Sequence, residues 1–193
     1  MVIHSPRHVR SFAELTDDEI DAVTGAWLQR AATGPGEGFP YVLPLINEGR
    51  AAGSSLPHSH SQLVFLREAP PAVRDEVAGG VREILGAHEL VISEEDGVRA
   101  VVHPAGRLPY ELLIAGDAEG LALRPALRLL RDAIARLRSV EGPVPWNAWL
   151  HGGPYGHIEV VPRLAVMAGL ELGAGIYVNS LDPSEAAARL RAA

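Results

Sequence analysis

Hydrophobic positions recur along the chain at two spacings, which predict helices and strands in turn. A helix begins after Thr16, carries apolar residues at helical spacing, and ends at Gly34. A second long helix with one apolar face is predicted over 120–139. Short apolar runs predict strands over 41–47, 62–66, 110–116, 146–151, 157–162 and 175–179.

Turn and cap residues add further elements. Residues 89–104 are typical of a hairpin with Asp96-Gly97 at its turn. A weaker helix is predicted over 70–85, interrupted at Gly79-Gly80, and a last helix follows Asp182. This order of elements predicts an α+β fold with an antiparallel sheet. The two halves are loosely similar, because each has strands after a helix and a histidine at a strand edge. Pro44, within the strand predicted over 41–47, indicates that this strand is an edge strand or contains a bulge.

Composition limits the class of protein. The net charge of −7 argues against a general nucleic-acid surface, and an anionic substrate would need a local cradle of donors. The chain has no cysteine, which excludes disulfides and thiolate zinc sites. The start of the chain shows no secretory h-region, and no apolar run is long enough to span a membrane. We therefore expect a cytoplasmic protein.

The stretch GSSLPHSHSQL, residues 53–63, carries the main candidate chemistry. His58 and His60 point to one side if the segment is extended. A neutral imidazole can bind a metal, act as a base or attack phosphorus. The small residues before the histidines, which are Gly53, Ser54 and Ser55, offer N–H and hydroxyl groups to phosphate oxygens. Gln62 offers a further donor on the same side. The alternative to a functional site is that the whole stretch is a solvated polar loop.

Residues 47–63 resemble the active-site segment of the galactose-1-phosphate uridylyltransferase family, in the histidine-triad superfamily. Four further segments resemble the same family, so the resemblance covers nearly the whole chain: SPRHVRSFAEL, LPYELLI, PWNAWLHGGP and GHIEVVPRLAVMAGLELGAGIYVNSLDPSEAAARLR. Ser59 departs from the proline that the family usually has. The residues in register with the family motif are Asn47, Gly49, Gly53, Ser55, His58, His60 and Gln62.

The resemblance implies histidine-triad-like antiparallel sheets with helices. Residues 1–86 would be the C-terminal part of a first half that carries the HSH motif, and residues 87–193 a complete second half. The family has an additional N-terminal segment that supplies strands and nucleotide contacts. The resemblance therefore implies a chain paired with a partner that supplies such a segment, a truncated gene product, or a compact diverged member. The family is commonly dimeric, so a homodimer is also expected.

The resemblance also implies a reaction. His60 would attack UDP-glucose, form a uridylyl-histidine and pass the uridylyl group to a sugar 1-phosphate in a ping-pong reaction of galactose metabolism. Asn47, Gly53, Ser54, Ser55 and Gln62 would hold the phosphates. Two alternatives stay open: a histidine-triad nucleotide hydrolase or phosphorylase, and a non-catalytic or split-enzyme subunit.

Two further groups of residues follow from the resemblance. His8 and His58 match two ligands of a structural zinc site whose other ligands are usually cysteines, so here the site is lost or completed by unusual ligands. His151 and His157 match a second metal site, or pack as strand-end histidines against a tryptophan; Tyr155 stands where another histidine is expected. Two residues of the C-terminal segment would approach the sugar or phosphate, namely Glu171 and Tyr177, and a salt bridge to arginine is the alternative for Glu171.

Overall fold

An eight-stranded antiparallel sheet organises the chain. The computed structural model describes residues 1–75, 78–116 and 120–193. Within them the strand order is β1-β3-β2-β7-β8-β6-β5-β4. The strands are β1 Val2–Ile3, β2 Tyr41–Glu48, β3 His60–Leu66, β4 Val91–Glu95, β5 Val98–Val102, β6 Leu112–Gly116, β7 Trp146–His151 and β8 His157–Pro162.

Helices surround this sheet. They are α1 Asp17–Thr33, α2 Pro71–Asp75, α3 Ala78–Leu85, α4 Leu123–Glu141, α5 Gly169–Ala174 and α6 Pro183–Ala192. The predicted caps are confirmed: Thr16 and Glu19 form a capping box on α1, and Asp182 accepts from backbone N–H groups at the start of α6. None of the described helices has the length and hydrophobicity needed to cross a bilayer.

Alternation along the strands gives the sheet two different faces. The core face carries Ile46, Ala148 and Ile158, and it packs on α1, α4 and α6, the last reaching it at β4 and β5. Helix α4 turns a buried stripe towards the sheet, consisting of Leu127, Leu130, Ile134 and Leu137. Burying each of these leucines contributes about 1.5–3 kcal/mol to folding.

The opposite face collects the polar residues of the strands. Cross-strand partners point to the same side of a sheet, and Asn47 pairs with Asn147, while His151 pairs with His157. By alternation His60, Gln62 and Glu159 share this face as well. We call it the polar face.

Most predicted elements are confirmed, including the hairpin, where Asp96 and Gly97 both have positive φ as a type I′ turn requires. The strand predicted over 175–179 is wrong. Gly175 takes a left-handed conformation that ends α5, and the apolar residues after it are exposed without a neighbouring strand. The interruption predicted at Gly79-Gly80 is also wrong, because both lie in α3; residues 76–77 of the predicted helix lie outside the described residues.

Pro44 does not mark an edge strand. Strand β2 lies between β3 and β7. The pairing of β2 with β7 begins only at Leu45, so Pro44 sits where β3 is its one strand neighbour. Proline has no N–H to donate to a ladder, and such a residue is tolerated more readily where a strand has one neighbour than where it has two.

The two segments of the sequence meet in the middle of the sheet. Residues 1–86 supply β1 to β3, and residues 87–193 supply β4 to β8. Strands β2 and β7 join them through four paired positions, from Leu45 with Trp149 to Glu48 with Trp146. The boundary at 86/87 stays a prediction, since one continuous sheet spans it.

Candidate functional site

The HSH motif opens onto a cavity of about 840 Å³. The cavity lies at the ends of β2 and β3 and is also bordered by Arg10, Arg50 and Arg138. Arg138 is already paired with Glu14 at 3.3 Å. The predicted site residues that line the cavity are Asn47, Gly53, Ser54, Ser55, His58 and His60.

His60 is held in one tautomer. It is the first residue of β3 and is buried, yet it borders the cavity. Its Nδ1 lies 2.8 Å from the backbone oxygen of His58. Because a carbonyl oxygen only accepts, Nδ1 carries the proton in the neutral ring. The lone pair is therefore on Nε2, the form that a nucleophile or a metal ligand requires.

Hydrogen bonds hold Ser59 in place, at the position where the resembled family usually has a proline. Its hydroxyl lies 2.8 Å from Nδ1 of the buried His4, and its N–H donates to the oxygen of Val9 at 2.9 Å. Burial lowers the pKa of His4 to about 3, with smaller contributions from His60 and His58. His4 is thus neutral near pH 7 and buries no uncompensated charge beside the motif.

The loop between β2 and β3 makes tight turns on glycine. Gly49 and Gly53 both have φ near +86°. A Cβ on Gly49 would lie 2.9 Å from Pro145, so this position also needs a residue without a side chain. The loop's own bonds use both donors of Ser54, since its N–H donates to Gly49 O and its hydroxyl to Leu56 O. Among the described residues nothing accepts from Ser55, which leaves its donors available to a ligand.

Asn147 of β7 supports this loop from the other segment of the chain. Its Nδ2 donates to Asn47 Oδ1 at 2.7 Å and to Ala52 O at 2.8 Å. Sequence reasoning missed Asn147, because nothing in its own neighbourhood along the chain shows that β7 pairs with β2.

Glu48 anchors the same strand on the core face. Its carboxylate accepts from the hydroxyl of Ser11 at 2.7 Å and from the N–H of Phe12 at 2.8 Å. Burial raises the pKa of Glu48, and these hydrogen bonds oppose the rise only in part. The carboxylate holds the turn before α1 against the end of β2, next to Asn47.

Several predicted residues lie outside this cavity. Gln62 shares the polar face with His60 but does not border the cavity. Glu171 accepts from the N–H of Ala168 at 2.8 Å, which lowers its pKa, so its partner is backbone rather than an arginine. Tyr177 is exposed on the segment after α5.

The His8 and His58 rings pack edge to face with centroids 5.5 Å apart. Within the described ranges, no third metal-binding side chain joins this pair in a compact group.

A second cluster lies further along the polar face. His151, His157 and Glu159 bring one ligand atom each within 4.8 Å of one another. Glu159 Oε1 is 3.7 Å from His151 Nδ1 and 3.9 Å from His157 Nε2. Sequence reasoning missed Glu159, although it lies two residues after His157 in a strand and must share its face.

Neighbouring groups prepare this cluster for a cation. His157 Nδ1 lies 2.8 Å from the oxygen of Tyr155, which leaves Nε2 unprotonated. Burial raises the pKa of Glu159, but the adjacent imidazoles of His157 and His151 and the charge of Arg107 outweigh this effect and lower the pKa to about 2. Two imidazoles and one ionised carboxylate form a ligand set that divalent metals accept. The ring of Trp149 also packs near His151, at 6.3 Å between centroids.

Comparisons with known proteins agree with this arrangement. Residues 1–70 match the family model described as galactose-1-phosphate uridyl transferase, N-terminal domain. The chain is 26% identical over 225 residues to ADP-glucose phosphorylase of Arabidopsis thaliana, covering 99% of this chain and 63% of that protein. It is 22% identical over 231 residues to galactose-1-phosphate uridylyltransferase of Thermotoga maritima, covering 99% of this chain and 72% of that protein.

Solved structures show the same fold. A uridylyltransferase structure matches with a TM-score of 0.87 at 24% identity, covering 98% of this chain and 72% of that one. The Arabidopsis thaliana ADP-glucose phosphorylase with bound ADP-glucose matches with a TM-score of 0.86 at 23% identity, covering 99% and 72%. The chain spans about 63% of the length of the first of its curated relatives. The predicted fold class is confirmed, and so is the resemblance of this chain to the galactose-1-phosphate uridylyltransferase family.

Proposed function

We propose that this chain transfers a nucleotidyl group through His60. The observation that carries the proposal is the bond between His60 Nδ1 and His58 O, which leaves Nε2 unprotonated beside the motif cavity. Nε2 attacks the α-phosphorus of a nucleoside diphosphate sugar, and the bond from that phosphorus to the bridging oxygen breaks. Sugar 1-phosphate leaves, and a nucleotidyl-histidine remains.

The second step reverses the first with another acceptor. An acceptor phosphate oxygen attacks the same phosphorus, the P–N bond breaks, and His60 returns to its neutral form. This sequence gives ping-pong kinetics. Asn47, Ser55 and the N–H groups of the loop after Gly53 stabilise the charge on the phosphate oxygens, while Ser54 mainly holds the loop in shape.

The acceptor defines two versions of this function. The motif resemblance supports a uridylyltransferase of galactose metabolism, in which UDP-glucose is the donor and a hexose 1-phosphate the acceptor. The similarity to ADP-glucose phosphorylase, at 26% identity over nearly the whole chain, favours a phosphorylase as the second candidate. Inorganic phosphate would then take the nucleotidyl group. The site residues are the same in both versions.

We infer that the second cluster holds zinc. His151 and His157 would supply nitrogen ligands and Glu159 an oxygen ligand, with Arg107 bonded to Glu159 at 2.8 Å in support. The ion would tie the end of β7 to the start of β8, and no step of the transfer passes through it. His8 and His58 would join a zinc site only if further ligands came from another chain.

The exposed segment after β8 supports a partner chain. It carries apolar side chains that face solvent, among them Val166, Leu172 and Val178. Glu171 and Tyr177 lie on it and outside the cavity of their own chain. We propose that a second copy, or a chain that supplies further strands, covers this segment and that these two residues contact substrate across that interface.

Labelling with nucleotide sugars tests the proposal. UDP-glucose and ADP-glucose, each radiolabelled in the nucleotide, are incubated with the protein, and we expect an acid-labile adduct on His60. Release of the label by galactose 1-phosphate supports the uridylyltransferase version, and release by inorganic phosphate supports the phosphorylase. His88→Ala, which removes an exposed histidine, is the matched control.

Equal labelling of wild type and His60→Ala would show that the nucleophile is wrong. Activity that appears only in a mixture with a full-length relative, and that survives His60→Ala, would identify a non-catalytic subunit.

A further inference from the structure

Asn47 and Asn147 face each other across the seam between β2 and β7. They are direct cross-strand partners, 100 positions apart in the chain, and both are half-buried on the polar face. Asn147 makes two hydrogen bonds there, one to Asn47 Oδ1 and one to Ala52 O. These two contacts together restrict how both amides can be oriented.

The backbone oxygen of Ala52 decides the orientation of Asn147. A carbonyl oxygen can only accept, so the atom of Asn147 that lies 2.8 Å from it must be the NH₂ nitrogen. The same nitrogen lies 2.7 Å from the side chain of Asn47, so Asn47 must present its Oδ1 in return. A flip of either amide would place two donors or two acceptors in contact.

This orientation determines what Asn47 offers to the cavity. With Oδ1 turned towards Asn147, the NH₂ group lies on the other side of the Asn47 amide. No side chain or carbonyl in the described ranges accepts from it, and Asn47 borders the motif cavity. Asn47 therefore presents a donor, not an acceptor, to a bound anion.

We propose that Asn147 is a positioning residue for nucleotidyl transfer. It holds the NH₂ group of Asn47 towards the phosphate of the substrate, and through Ala52 O it holds the loop that carries Ser55. The inference rests on the proposed function and deepens it. In this inference residues 87–193 contribute Asn147 to the site. Asn147 lies in β7, and β2 separates it from the strand that carries His60.

Two substitutions test the positioning role. Asn147→Ala removes the constraint on Asn47, and we expect formation of nucleotidyl-His60 to slow about tenfold, the value of one neutral hydrogen bond. Asn147→Asp puts an acceptor opposite Ala52 O and Asn47 Oδ1, so the Asn47 amide would flip and turn its oxygen to the phosphate. We expect a larger loss, about 100-fold, with part of the rate recovered at low pH relative to wild type, because a protonated carboxyl group donates again.

A double-mutant cycle separates positioning from general damage. If Asn147 acts through Asn47, Asn147→Ala slows labelling less in an Asn47→Ala background than in wild type. Equal losses in the two backgrounds, or wild-type rates in both Asn147 variants, would overturn the proposal. Recovery of Asn147→Asp at low pH also shows that this variant is folded.

Failure of the proposed function gives a different result. If wild type itself forms no adduct, the reaction is wrong, and the dissociation constant for UDP-glucose or ADP-glucose then decides the positioning role. Weaker binding by Asn147→Asp than by wild type supports it, and equal binding overturns it.

Discussion

Strands β3 and β8 have the same residue type at their first position but different side chains around it. Each starts with a buried histidine on the polar face, His60 in β3 and His157 in β8. In each, Nδ1 lies 2.8 Å from the backbone oxygen two residues earlier, so Nδ1 carries the proton when the ring is neutral. One local arrangement therefore occurs at two places on the sheet.

The neighbours of the two histidines separate their roles. Two residues after His60 comes the neutral amide of Gln62, whereas Glu159 follows His157 at the same distance. His157 also faces His151 across the sheet. Neutral donors around a free imidazole suit an anionic phosphate, while a carboxylate and a second imidazole suit a cation. In both strands a backbone oxygen therefore fixes the tautomer of the histidine. The adjacent side chains determine whether an anion or a cation is favoured beside it.

Substitution of the two histidines should change different quantities, nucleotidyl labelling for His60 and zinc content for His157. We expect His60→Ala to reduce nucleotidyl labelling by at least about a thousandfold, because no other group provides the nucleophile. His157→Asn should keep labelling within about tenfold of wild type and should lower the zinc content, measured by atomic absorption. Loss of labelling in a folded His157→Asn protein would contradict the separation of roles.

The carboxylate at β8 should control metal affinity. Glu159→Gln removes the one anionic ligand, and we expect zinc affinity to fall at least about 10-fold to 100-fold in a competition titration with a chelator dye. Glu89→Gln, at an exposed position, is the control. Unchanged affinity in Glu159→Gln would mean that the cluster is not the metal site.

The support of β3 by His4 should appear as a pH dependence of stability. The pKa of His4 is about 3 in the folded chain and near 6.5 when unfolded, so only the unfolded chain takes up this proton in between. The stabilisation is present above pH 6.5 and is lost as the pH falls towards 3, by about 2 kcal/mol between pH 7 and pH 5. Urea unfolding measures it.

The matched variants are His4→Phe and His88→Phe. His4→Phe should lose this part of the pH dependence, whereas His88→Phe, at an exposed position, should keep it. If His4→Phe unfolds with the same pH dependence as wild type, His4 is not the group responsible.

A substitution at Gln62, the third residue of β3, should have the smallest of these effects. Gln62→Glu gives β3 the residue that β8 has, and its charge would repel the nucleotide phosphates. We expect nucleotidyl labelling to slow about tenfold in a rapid-quench experiment, an effect of about 1.4 kcal/mol. Gln62→Met, which removes the amide without adding charge, should slow it less. Equal rates in both variants would indicate that charge at this position is irrelevant.

Local sequence signals account for much of this structure. Caps, a type I′ turn and helical periodicity predicted α1, α4, α6 and the hairpin, because those elements are specified by residues close together in the chain. The HSH motif predicted six of the residues that border the cavity for the same reason. Asn147 could not be found in this way, because its role depends on which strand lies beside β2.

The errors have a similar origin. The segment GIYVN has the composition of a strand, but β-propensity reports fitness for a half-buried sheet surface, and no strand lies beside this segment in the described chain. Pro44 predicted an edge that exists only over part of β2. In both cases the deciding neighbour is distant in sequence.

The seam between β2 and β7 also bears on how the protein folds. Its contacts, such as that of Asn47 with Asn147, close a loop of 100 residues, and contacts of such long range are slow to form. The hairpin of β4 and β5 and the pairing of β7 with β8 involve much shorter loops. During refolding we expect these elements to assemble before the seam closes, so that the proposed nucleotidyl labelling of His60 returns later than most of the secondary structure.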